Sequence, residues 1–182
     1  MSLTHLENAF AFYASYHNNK ANQLIHIVCV WPILITAQVF FTYTPQLLAD
    51  YPTSNWSLVV SAVYILYYLS IEQPLAGPLA ALMVLGGYFL ANTWHASDPE
   101  CWKLALGIHV FCWVAQIFGH QHYEKRAPAF LDNLMQALFM APLFVLLEVM
   151  FQFGYKPEFH KKAFALAMKN IAEFRSGHPK GK

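Results

Sequence analysis

The sequence predicts an all-α protein, a multi-pass transmembrane helical bundle of four to five membrane helices with an amphipathic C-terminal helix. Three observations carry this reading. Apolar residues make up 57% of the 182 residues and charged residues 12%, whereas an ordinary soluble domain carries about 25% charge. No Asp, Glu, Lys or Arg occurs between Lys20 and Asp50, Asp50 and Glu72, Glu72 and Asp98, Lys103 and Glu124, or Asp132 and Glu148. Trp56, Tyr67, Tyr68, Trp94 and Trp102 fall near the ends of these runs, where an aromatic belt sits at a membrane interface. The runs are too long for strands and lack two-residue alternation. A soluble bundle with an oily core is the competing reading, and the length and number of uncharged runs weigh against it.

The chain reads as one integral membrane domain, 1–182. Residues 1–23 form a cytosolic N-terminal segment. Met1 to Lys20 has no continuous apolar core and includes Glu7, Asn8, Asn18 and Asn19, so no cleavable signal peptide is expected. The first membrane helix runs from about Leu24 to Tyr43, the second from Trp56 to Ile71 and the third from Pro74 to Trp94. The fourth spans Leu104 to Gly119 and the fifth Leu134 to Phe153. The second and fourth are short for a span of about 20 residues and rely on interfacial flanks.

Basic residues set the expected orientation. With four full spans, Lys20 and the Lys125-Arg126 pair lie on the same, cytosolic side. The fifth run contains Pro142 and Glu148, both costly in a lipid-facing span. A re-entrant or interfacial hairpin is therefore expected there, with the basic tail also cytosolic. Within that tail, Glu158 to Phe174 places apolar residues at Phe159, Ala163, Leu166, Ile171 and Phe174. This suits a helix lying on an anionic membrane surface or one packed on the domain. Ser176 to Lys182 is expected to be disordered.

A net charge of +1 argues against electrostatic capture of nucleic acid. Cys29, Cys101 and Cys112 form no CxxC pair, which excludes a disulfide framework and a cysteine metal site. Motifs of metalloproteases, nucleophile elbows, P-loops and dinucleotide-binding folds are absent from the sequence.

The nine histidines nearly equal the acids in number. A straight helix rises about 1.5 Å per residue, so His109 and His120, eleven residues apart, cannot share a metal. His109 shares a face with Trp113, Gln116 and His120; it either lines a common cavity or bonds between helices. His120 and Glu124 face the same way on a continued helix, with Gln116 one turn earlier. His122 points elsewhere unless Gly119 ends the helix. His17 and His26 are too far apart to co-ligate on one helix, but Asn18-Asn19-Lys20 favours a turn that folds His17 back. The topology sets His17, His26, His120 and Glu124 at one membrane face and His95 at the other. Two or three histidines with a carboxylate form the ligand set of non-haem iron and some zinc enzymes. Interfacial histidines bonded to head groups are the alternative. Lys125 and Arg126 can hold a carboxylate or phosphate head group while also anchoring the topology.

Tyr16-His17 with Asn22 and His26, then Trp113, Gln116, Gly119-His120 and the run Glu124 to Pro128 followed by Asp132-Asn133, resemble one family. It comprises small multi-pass endoplasmic-reticulum proteins whose yeast member is a 2-hydroxy fatty acid dioxygenase of phytosphingosine degradation. The resemblance runs from about Phe12 to about Gly154. It implies an Fe(II)-dependent α-oxidation in which dioxygen cleaves the C1–C2 bond of a long-chain 2-hydroxy fatty acid. The products are carbon dioxide and a fatty acid one carbon shorter. It maps metal-binding histidines onto His17, His26 and His120, with Glu124 in the pattern as a ligand or the partner of a cation. Gln116 and Asn22 are then expected to hold a ligand or oxygen in place, and Lys125 or Arg126 to neutralise the carboxylate. Phe111, Phe118 and the first membrane helix would line the acyl channel. The expected location is the endoplasmic-reticulum membrane (a bacterial inner membrane in a prokaryote), with membrane lipids as neighbours. The alternatives are a diiron or zinc lipid enzyme at the same site and a non-catalytic lipid-binding scaffold.

Overall fold

The computed structural model describes residues 3–71, 74–125, 134 and 136–177. Among the described residues seven α-helices follow one another: α1 (Leu3–Tyr16), α2 (Lys20–Thr42), α3 (Trp56–Leu69), α4 (Ala76–Ser97), α5 (Trp102–Gly119), α6 (Ala141–Gln152) and α7 (Pro157–Gly177). Wide π-helical turns cover His120–Glu124 and Gln136–Met140. Strands are absent among the described residues.

Among the described residues three helices are long and apolar enough to cross a membrane: Lys20–Thr42, Ala76–Ser97 and Trp102–Glu124. The α3 helix is apolar but shorter. Ala137–Gln152 and Pro157–Phe174 meet at 119°, as a broken span or a re-entrant loop would. Gly154, at φ 80°, makes the turn between them, a backbone conformation that glycine adopts without steric cost. Large apolar side chains on the outer faces, among them Val28, Leu66, Leu82 and Phe111, are exposed. In water such a surface would aggregate; in lipid it is solvated.

The central helix is α2, which packs against α3, α4, α5 and α6. Asn19 caps it, its side-chain oxygen accepting from the Ala21 N–H at 2.9 Å. The helix therefore starts four residues before the expected Leu24, and His26 lies within it. Polar groups tie the bundle where water cannot. The Gln38 amide donates to Ser61 Oγ on α3 at 2.8 Å and to the Val84 carbonyl on α4 at 3.0 Å. Each such bond removes the cost of an unsatisfied polar group in an apolar interior.

The N-terminal segment, expected as a plain cytosolic stretch, contains a helix. Leu6, Phe10 and Ala14 recur every four residues on α1 and are buried. They share a core with Phe144 and Leu147 of α6 and with Phe159, Ala163 and Ala167 of α7. The α7 helix thus packs on α1 through one face. Its other face keeps Phe164 and Met168 exposed. Of Ser176 to Lys182, where disorder is expected, Ser176 and Gly177 instead close α7, and residues 178–182 lie outside the described residues.

Candidate metal centre

Three histidines meet where the start of α2 passes the end of α5. His17 sits in the short link after α1, His26 two turns into α2 and His120 at the first position beyond α5. All three are buried. Their ring centroids are separated by 4.2 Å for His17–His26, 4.7 Å for His17–His120 and 4.8 Å for His26–His120. One ligand atom of each lies within 4.8 Å of the others, which among the described residues is the group able to hold a metal ion.

Local backbone chemistry orients two of the rings. His17 Nδ1 lies 2.8 Å from the Tyr13 carbonyl, and His26 Nδ1 lies 2.9 Å from the Asn22 carbonyl. A carbonyl only accepts, so each Nδ1 carries the proton and each Nε2 keeps its lone pair. His17 Nε2 is buried with no hydrogen-bond partner among the described residues, which in an apolar interior is costly unless something binds it. Burial, with His26 and His120 beside it, holds His17 well below the usual histidine range, against the opposing bond to Tyr13. A neutral imidazole is the form that binds a metal.

The link that returns His17 to His26 is stapled from several sides. The Gln23 amide donates to the His17 carbonyl at 2.8 Å. Glu124 Oε1 accepts from the Asn19 N–H at 2.8 Å and from Asn22 Nδ2 at 3.2 Å. Glu124 lies outside the three-histidine group and braces the backbone that carries two of its members. Asn22 is fully buried and has no partner for Oδ1 among the described residues.

Gly119 permits the close approach of α5: a β-carbon there would collide with Asn22 Oδ1 and press on Ile25. Beyond it the backbone widens into the His120–Glu124 turn, and Lys125, at φ 53°, donates its N–H to the His120 carbonyl. Such π-turns are frequent at functional sites. Gln116 is buried one turn inside His120, and its amide nitrogen has no partner among the described residues. Lys125 is exposed, and Arg126 lies outside the described residues.

His109, His95 and His122 are engaged elsewhere. His109 bonds Thr36 Oγ1 at 2.8 Å through Nδ1 and accepts from Trp113 Nε1 at 3.1 Å through Nε2. His95 stacks on Tyr43 and His122 on Phe118. Phe111 and Phe118, expected to line an acyl channel, are mostly exposed on the outer face of α5.

Sequence reasoning missed Tyr13. Its carbonyl accepts from His17, its ring stacks on the His17 ring at 4.0 Å and 21°, and its hydroxyl donates to Glu148 at 3.3 Å. Burial first, then Glu148, holds the phenol well above its usual range, so it remains a donor. The signal available in the sequence was the i, i+4 spacing of Tyr13 and His17.

A membrane-helical bundle with three buried imidazoles converging on one point defines a membrane protein with a histidine metal-type site. The chain belongs to the family described as 2-hydroxy-palmitic acid dioxygenase Mpo1-like, whose model matches residues 3–153. It is 33% identical over 155 residues to 2-hydroxy-palmitic acid dioxygenase MPO1 of Saccharomyces cerevisiae (strain ATCC 204508 / S288c), an alignment covering 85% of each chain. No solved structure matches the chain.

Proposed function

We propose that this protein is an Fe(II)-dependent dioxygenase that cleaves the C1–C2 bond of long-chain 2-hydroxy fatty acids. One 2-hydroxy acid and one dioxygen give the acid one carbon shorter, carbon dioxide and water. The observation that carries this reading is the convergence of His17, His26 and His120 within 4.8 Å in a buried site, in a chain of a dioxygenase family.

The residues present fit a metal. His17 Nε2 is a buried lone-pair atom without a partner among the described residues, and the Nδ1 protons of His17 and His26 are already committed to backbone carbonyls. Imidazole suits iron among the first-row metals. His17, His26 and His120 would hold the ion; when bound, it supplies activation of dioxygen and a point of chelation for the hydroxyl and carboxylate of the substrate. The chain's own residues do the rest. Glu124 fixes Asn19 and Asn22, and with them the turn that presents His17 and His26. Gln116 offers its free amide N–H to a substrate oxygen. Lys125 balances the substrate carboxylate, as does Arg126 in this reading. The acyl chain remains among the apolar helices, in the endoplasmic-reticulum membrane with the site at the cytosolic face.

The test uses purified, detergent-solubilised protein stripped of metal and reconstituted with Fe(II). With 2-hydroxypalmitate it should consume oxygen and release carbon dioxide in equal amounts. Full activity in the stripped protein would end the proposal.

A further inference from the structure

We propose that Tyr13 and Glu148 are positioning residues for His17, forming a clamp that ties α6 to the candidate metal centre. The inference rests on reading the three histidines as a metal site.

Glu148 is the one acid of α6, on a helix whose Phe144, Val145 and Leu147 are all buried. A carboxyl group in such surroundings is costly and marks function more often than packing. The bond given to its carboxylate is the one from the Tyr13 hydroxyl. Tyr13 is itself buried and leans on Phe144 of the same helix, with ring centroids 5.0 Å apart.

Tyr13 then holds His17 in two ways. Its carbonyl fixes the Nδ1 proton and its ring covers one face of the imidazole. The carbonyl alone sets the tautomer but leaves the ring free to swing about that bond. The stacked phenol removes this freedom, and Glu148 in turn fixes the phenol. The effect is directional: Nε2 of His17 is aimed at His26 and His120 before any metal arrives. An imidazole bound to a cation also gains positive character, which the face of an electron-rich ring stabilises. Outer partners of this kind typically change metal affinity ~10–100-fold.

The experiment titrates the full-length, metal-free protein in detergent with Co(II), reading the dissociation constant and the visible d–d spectrum. Glu148→Leu should weaken binding about 10-fold or more and alter the spectrum. Glu148→Gln keeps an acceptor for the phenol and should restore binding to near wild type. Tyr13→Phe breaks the same bond without emptying the core, should match Glu148→Leu, and should add little loss in the double variant. Phe151→Leu loosens the same core, where Phe151 packs on Phe10 and Phe159. It should lower the melting temperature and leave Co(II) binding unchanged. Wild-type affinity and spectrum in both Glu148→Leu and Tyr13→Phe would overturn the clamp. If His26→Ala still abolishes binding, the metal site survives that result. If the wild type binds no Co(II), clamp and metal site fall together.

Discussion

His26 and His109 lie along the same seam between α2 and α5, yet their second nitrogens have opposite fates. Both nitrogens of His109 are used within the protein, by Thr36 on one side and Trp113 on the other. His26 spends Nδ1 on its own helix and turns the rest of its ring toward His17 and His120. A half-buried histidine whose bonds close on the protein, as His109 does, is a structural crosslink. One of three whose rings converge, with backbone carbonyls holding two of the Nδ1 protons, is preorganised for something that is not protein. The difference lies in local geometry, since both residues occupy apolar helices of similar composition.

The largest expected effect breaks the comparison at its functional end. His26→Ala and His120→Ala should each abolish turnover and the retention of iron, read by oxygen uptake and by metal analysis of the purified protein. His109→Phe should retain both. It should instead lower stability by about 0.5–1.5 kcal/mol for each hydrogen bond lost to Thr36 and Trp113, seen as a lower melting temperature in detergent. Loss of iron in His109→Phe with its retention in His26→Ala would reverse the assignment.

A smaller effect sharpens the geometry. In Gly119→Ala the new methyl group collides with Asn22 Oδ1. Forcing an extra carbon into a packed interface costs about 1–3 kcal/mol. Either the Asn22 side chain leaves its bond to Glu124 or α2 and α5 move apart; both disturb the fit of His120 to His17 and His26, so iron affinity should fall along with stability. Gly107 supplies the control. A β-carbon there meets nothing within 4 Å, so Gly107→Ala should leave iron content unchanged.

Much of this arrangement was legible in the sequence, for physical reasons. Long uncharged runs have few solutions other than membrane helices, and α2, α4 and α5 begin and end close to where those runs do. The polar Asn18-Asn19-Lys20 stretch announces a turn, which is why His17 can be set beside His26. Other features were hidden. Gly119 reads as a helix terminator, because glycine commonly ends helices, and α5 does end there in the π-turn; what the sequence hides is that its missing β-carbon also admits the side chain of Asn22. The α1 helix is short and interrupted by polar residues, and its burial becomes visible only once α6 and α7 pack on it. Glu148 stands out as expensive, but its partner lies 135 residues away, and no local rule pairs residues at that distance.

The smallest expected effect comes from the far end of the bundle. His95 stacks on Tyr43 at 3.9 Å, and the Tyr43 hydroxyl donates to the Pro99 carbonyl at 2.8 Å. The ring thus braces a corner between α4 and α5, remote in the chain from the three converging histidines. His95→Ala removes a stacking contact worth about 0.5–1.5 kcal/mol and leaves the Tyr43 bond in place. The variant should therefore melt slightly earlier, hold a full complement of iron and turn over 2-hydroxypalmitate at the wild-type rate. A loss of activity with iron content intact would bring this corner into the path of the substrate. Convergence of imidazoles would then no longer suffice to tell a functional histidine from a structural one.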